Sequence, residues 1–139
     1  MSTSQQEADI QVIERFVQAE NERDMDAMDL LFADDVKIWA NGTLFQSSWA
    51  DYRPIVAATM AAFPDSHRER LLTVADEAVV AFRWHVTGTH LGVWSGIPPS
   101  GNTIEFNGTS WVRIEDGRIA EGWFDMDLAG PLAQIAARD

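Results

Sequence analysis

Cysteine is absent from the sequence. That excludes a disulfide scaffold, a thiolate metal site and a cysteine nucleophile. Basic residues are scarce: Lys and Arg number 10 against 22 Asp and Glu, for a net charge of -12. A field of that sign repels nucleic acid and anionic membrane surfaces, so neither is an expected partner. Long apolar runs are missing as well. The longest mostly apolar stretch, residues 54–63, is too short for the ~20 residues that cross a bilayer. The first turns carry Glu7, Asp9, Glu14 and Glu20 and no apolar run, so no signal peptide is expected and a cytoplasmic location is. What is abundant is aromatic: 6 Trp and 7 Phe stand in 139 residues, beside a single tyrosine, Tyr52. Bulky planar side chains at that density suggest a core with room for an aromatic guest. The length suits one domain, residues 1–139, large enough to bury a core without staples.

The chain divides into a helical first half and a strand-rich second half. Ser4 to Glu7 has the spacing of a capping box, and Ile10, Ile13, Phe16 and Val17 follow at helical period. Asp24 is placed to cap a second short helix with Met28, Leu31 and Phe32 on its apolar side, ended by Asp34 and Asp35. Residues 36–39 read as a strand, and Asn41-Gly42 is a hairpin signal. Asp51 can cap a third helix that stops at Pro64. Strands are then expected over 70–74, 79–89, 103–114 and 119–127, with a Gly/Pro/Ser loop at 92–102, a three-residue hairpin loop at 115–117 and a helical tail over 131–137. Helices followed by a run of antiparallel strands imply an α+β fold, with helices on one face of a curved sheet.

The last hairpin carries most of the chemistry. Its alternation puts Glu121, Trp123, Asp125 and Asp127 on one face with Asn107, Thr109 and Trp111, and Phe106, Ala120, Gly122, Phe124 and Met126 on the other. The mixed face reads either as a solvated surface or as a ligand pocket, with apolar walls and a few placed polar groups. In the pocket reading the apolar face needs a second subunit as cover. Asp125 and Asp127 would then be a carboxylate pair among indoles. Desolvation and like charge raise a carboxyl pKa, as a general acid/base near neutrality requires. His67, His85 and His90 make no metal-binding pattern. His85 reads as a core histidine, and His90, just before the Gly/Pro loop, as a residue at a mouth. Gly96 and Gly101 lack the Lys-Ser/Thr of a phosphate loop, and Ser110 has no neighbouring histidine.

The runs Gly88-Thr89-His90-Leu91-Gly92, Gly96-Ile97-Pro98-Pro99-Ser100-Gly101 and Asp116-Gly117-Arg118-Ile119-Ala120-Glu121-Gly122-Trp123, with Asp127 four residues on, resemble the SnoaL-like polyketide cyclases, as does Phe63-Pro64-Asp65. The resemblance covers roughly residues 8–135. It implies the cone-shaped, nuclear-transport-factor-2-like (cystatin-like) fold, a curved antiparallel sheet wrapped around N-terminal helices with a deep central cavity. It also implies a homodimer or homotetramer, and a small apolar or polyketide-like ligand. The implied chemistry is intramolecular aldol ring closure or isomerisation with no metal or organic cofactor. Carried over, the family's acid/base aspartate is Asp127; Asp125, two residues earlier on the same face, would tune it or share its proton. Trp39, Trp111 and Trp123 would be planar walls, and Asn107 and His90 donors to an enolate oxygen, a role worth a few kcal/mol. Asp125 is acidic where many relatives are apolar. An epoxide hydrolase, isomerase or hydroxylase on the same fold, or a non-catalytic binder of apolar ligands, are the alternatives.

Overall fold

The structure is a computed structural model that describes residues 3–137. α1 (Thr3–Glu22) turns Val12, Ile13, Phe16 and Ala19 inward. That is the one-sided spacing of an amphipathic helix. Ser4 lies inside this helix rather than at its cap. Arg23, at φ 56, breaks it, and Asp24 caps α2 (Met25–Leu31) by accepting from the Ala27 N–H at 3.0 Å. β1 (Phe32–Ala40) follows directly, so Asp34 and Asp35 lie within a strand rather than at a helix end. Asn41 and Gly42, both at positive φ, form the tight turn to β2 (Thr43–Gln46). α3 (Trp49–Ala62) is capped by Ser48, whose hydroxyl accepts from the Asp51 N–H. The cap sits three residues earlier than expected because a serine hydroxyl already serves the first turn's free amides.

Four strands then run up and down: β3 (His67–Asp76), β4 (Val79–Thr89), β5 (Thr103–Glu115) and β6 (Arg118–Met126). α4 (Ala129–Ala136) closes the chain. The sheet order is β2-β1-β6-β5-β4-β3, with β1 parallel to β6 and the other neighbours antiparallel. Register shifts interrupt β1–β2, β3–β4 and β5–β6, and such bulges bend and twist a sheet. The result is a curved six-stranded sheet with four helices.

The core lies between the helices and one face of this sheet. Val80, Phe82, Trp84 and Val86 of β4 alternate inward with Val112 and Ile114 of β5, against Ile13, Phe16 and Met28. Phe106, Phe124 and Met126 pack on the same core, half-buried. The apolar face of the last hairpin is therefore covered by the chain's own helices, not by a second subunit. Its hairpin loop is also one residue shorter than expected: Glu115 pairs with Arg118 across Asp116 and Gly117, both at positive φ. A shift after Arg113 then brings Trp111 opposite Trp123 and Thr109 opposite Asp125. The expected register is off by two residues, and an even error leaves every side chain on its face.

Candidate active site

The inner and outer faces hold different chemistry. On the outer face, away from the helices, stand Trp39, Asn107, Trp111, Trp123 and Asp125. Trp111 is 49% exposed. The Trp39 indole donates to Glu121 Oε2 at 2.8 Å, and the Arg113 guanidinium pairs with Glu115 at 2.8 Å and Glu121 at 3.4 Å. Both carboxylates hold the Arg113 charge in place and push its pKa up, against partial desolvation. Asn107 Oδ1 lies 2.6 Å from His85 Nδ1, and His85 Nε2 lies 3.1 Å from Glu105. His85 is thus an outer-face residue held by polar neighbours, not a core histidine. Trp39, Trp111 and Trp123 do come together, on the face away from the helices. Of the two readings of that face the structure favours the solvated surface, because the apolar stripes of α1 and α3 demand the apolar sheet face as cover.

On the inner side, His90 is fully buried. Its backbone N–H donates to Asn102 O at 2.9 Å, and its carbonyl accepts from Gly101 N. The ring lies 5.5 Å from Phe63, which in turn packs edge-on to Trp94. Trp94, within the loop at 92–102, is therefore half-buried. The Ser100 N–H donates to His90 Nδ1 at 3.2 Å, and Ser100 Oγ lies 3.0 Å from the same nitrogen while accepting from Asn102 N. With Nδ1 an acceptor, the neutral ring carries its hydrogen on Nε2. That Nε2–H is buried and has no partner among the described residues. Leaving a buried donor unmet costs about 1–3 kcal/mol, so the ring offers a bond it does not make.

Asp127 lies one residue past β6 and is exposed. Its Oδ1 accepts from the Gly130 N–H at 3.0 Å, so it caps the first turn of α4. Asp125, also exposed, makes no hydrogen bond to Asp127 among the described residues. α4 is docked beside them. Gln134 bridges both backbone groups of Glu105, and the Asn102 amide reaches the last carbonyls of the helix.

A second polar group on the inner side went unread in the sequence. The Arg68 guanidinium lies 4.3 Å over the Trp84 ring. Its Nε is 2.6 Å from Glu20, at ion-pair distance but outside hydrogen-bond alignment. Tyr52, half-buried on α3, completes this corner, and burial together with the Glu20 charge pushes its phenol well above the usual range. The alternation of Val80, Phe82, Trp84 and Val86 along β4 is the signal that marks this side as inner. Among the described residues no group of three or more His, Asp or Glu is placed to hold a metal ion.

No curated protein matches this sequence. Among solved structures, AclR from Streptomyces galilaeus, named a "putative hydroxylase", superposes at a TM-score of 0.83 with 25% identity, over 99% of this chain and 100% of its own. IdmH from Streptomyces antibioticus, named a "putative polyketide cyclase", superposes at 0.79 with 27% identity, over 93% and 99%. A protein from Jannaschia sp. CCS1 reaches 0.89 at 16% identity, over 96% and 95%, a likeness of fold alone. The SnoaL-like polyketide cyclase family matches residues 10–135. The chain belongs to the SnoaL-like polyketide cyclase family.

Proposed function

We propose that this protein is a small-molecule enzyme of the cyclase type that uses the inner side of its sheet, where Tyr52, Phe106, Phe124 and Met126 are half-buried. The observation that carries the reading is the buried His90 Nε2–H, set as a donor by Ser100 and left without an acceptor among the described residues. A donor fixed in a water-poor site stabilises charge that develops on a substrate oxygen. In this reading Asp127, which lies beyond the last paired residue of β6 and so is not tied to the face of Trp123 and Asp125, takes the proton from a carbon next to a carbonyl. The enolate, its oxygen held by His90, attacks a second carbonyl carbon of the same molecule to form the ring bond. The new alkoxide then recovers the proton from Asp127. Asp127 can act while Oδ1 keeps the Gly130 N–H, because Oδ2 makes no hydrogen bond among the described residues and is the oxygen that takes the proton. In this reading the tryptophans and Asn107 on the opposite face of the sheet take no part.

Exchange of solvent deuterium into an activated diketone, followed by NMR, tests the proton step without the natural substrate. Asp127→Asn keeps the Gly130 contact through its side-chain oxygen and removes the base. A loss of about 10²–10⁴-fold is expected. His90→Phe keeps the packing on Phe63 and removes the donor, with a loss of about 10²–10³-fold expected. Full exchange in Asp127→Asn would overturn the assignment. The exposed, helix-capping position of Asp127 favours a second reading, a binder of apolar ligands without turnover. There the diketone binds, exchange is absent in the unaltered protein, and His90→Phe weakens binding alone.

A further inference from the structure

Three polar side chains meet in one corner of the inner side, and the reading above uses none of them. Arg68 of β3 lays its guanidinium 4.3 Å over the Trp84 ring, with Nε 2.6 Å from Glu20 of α1. Its backbone is clamped as well: the Arg68 N–H donates to Asn21 Oδ1 at 2.7 Å, and the Asn21 amide donates to the Arg68 carbonyl at 2.9 Å. Tyr52 of α3 is held edge-on by Phe32, Phe45 and Trp49, and the Glu20 and Arg68 charges both act on its phenol. Among the described residues the side-chain N–H groups of Arg68, the Tyr52 hydroxyl and the Glu20 carboxylate make no aligned hydrogen bond. Polar groups inside a protein are normally paired, and a guanidinium alone brings five donors. The corner can be reached, since the side chains of Arg68 and Glu20 are 17% and 21% exposed. Trp84 is fully buried, so it is the floor beneath the guanidinium, and the half-buried Phe106 packs edge-on against it at 5.6 Å.

We infer that Arg68 and Tyr52 form an anchor for a carbonyl oxygen of an uncharged, largely apolar ligand. Such an oxygen has two lone pairs, one for a guanidinium N–H and one for the phenol O–H. Glu20 offsets the Arg68 charge, so a carboxylate in the same place would meet a like charge at close quarters. The donors are fixed by the Trp84 stack and the Asn21 clamp before the ligand arrives, which limits the ordering cost of binding. Arg68 pairs with Val86 in the β3–β4 ladder, and His90 follows Val86 by four residues, or ~13 Å at the rise of a strand. The anchored oxygen is thus at the opposite end of the ligand from the one that His90 holds. The substrate class is an elongated, uncharged compound with a carbonyl at each end. The inference rests on the inner side being the ligand's place, and not on what Asp127 or His90 does to it.

Equilibrium dialysis tests it with acetylnaphthalene, isopropylnaphthalene and naphthoate, each substituted at the same ring position. The ketone should bind ~10-fold more tightly than the hydrocarbon of the same shape, against the order of their hydrophobicity, because the hydrocarbon leaves the donors unpaired. Tyr52→Phe and Arg68→Met should each weaken the ketone by ~10-fold and leave the hydrocarbon unchanged, a difference that a merely structural role would not produce. Glu20→Gln should strengthen naphthoate by ~10-fold and leave the ketone as it was. Equal binding of ketone and hydrocarbon, variants that weaken both alike, naphthoate bound more tightly than the ketone by the unaltered protein, or no binding of any probe would each overturn the anchor. Tyr52→Phe removes a single hydroxyl and keeps the test decisive even if Arg68→Met does not fold. Absence of diketone exchange would strike the roles of Asp127 and His90 and leave these ratios standing, whereas equal binding of ketone and hydrocarbon would strike the anchor and leave those roles untouched.

Discussion

Tyr52 is the only tyrosine in the chain, so the tyrosinate absorbance band reports one site. Burial and the Glu20 charge raise its pKa, with Arg68 opposing. A raised folded-state value means the neutral phenol favours the fold. That contribution is complete below about pH 10, where the unfolded phenol titrates, and is lost as pH rises above it. The native protein should therefore show no tyrosinate band at pH 10.5, and the band should appear together with unfolding. Tyr52→Phe should remove this part of the alkaline destabilisation. Asp29 makes the opposite case. The Arg53 bond and then the Trp49 indole, at 2.7 and 2.8 Å, hold its pKa below the usual carboxylate range. Its contribution is present above that range and lost as pH falls through the folded value. Asp29→Asn should destabilise at pH 7 but match the unaltered protein at pH 2, as read by urea melts at both. A tie at pH 7 would show that the Arg53–Asp29 contact is silent.

Among elements, the β4–β5 pair is set by one small residue. The Trp84 indole lies flat across Gly108, where a Cβ would fall 2.2 Å from the ring, and it donates to Ser110 Oγ at 2.9 Å. Gly108→Ala should cost about 3 kcal/mol in urea unfolding, because a buried ring has to move; a loss below 1 kcal/mol would show that the ring repacks freely. Strand alternation along both β5 and β6 was legible in the sequence, and so was the Asn41-Gly42 turn. Which side of the hairpin faced the helices was not, because both sides carry large rings. Trp111 and Trp123 resemble core residues when that hairpin is read alone. The answer lay one strand away: Val80, Phe82 and Val86 need the dry side, and the ladder ties them to Val112, Ser110 and Phe106. The helix boundaries shifted for a different reason. Ser48 outcompeted Asp51 as a cap, and Phe32 to Asp35 were claimed by β1 through its pairing with β6, a partner that local spacing does not reveal. Of the candidate site, His90 was legible as a residue beside the loop, but it is fully buried rather than at a mouth, and its tautomer depends on Ser100 and Asn102 folding back onto it.

At the scale of the whole molecule, the α+β class and the order of helices before strands follow from a period that changes near residue 67. The parallel β1–β6 pairing does not, since it joins segments from opposite parts of the sequence. That pairing also dictates an order of events in time. β3 through β6 form a meander of neighbours joined by short turns or one loop, and local closures are quick and entropically cheap. β1 has to wait for β6 to exist, and it brings β2 with it to the end of the sheet. The rate-limiting step of folding should accordingly contain β4 and β5 but not β1. Val36→Ala in β1 and Val112→Ala in β5 both hollow the buried core and should each cost about 2–3 kcal/mol. In stopped-flow chevrons the first should speed unfolding and leave the folding rate almost unchanged, and the second should slow folding. Equal effects on both limbs would mean that β1 docks early. If it docks late, the inner edge of β6 stands open for the lifetime of the intermediate ensemble, and the newly made chain is most exposed to wrong pairing along the strand that leads to Asp127.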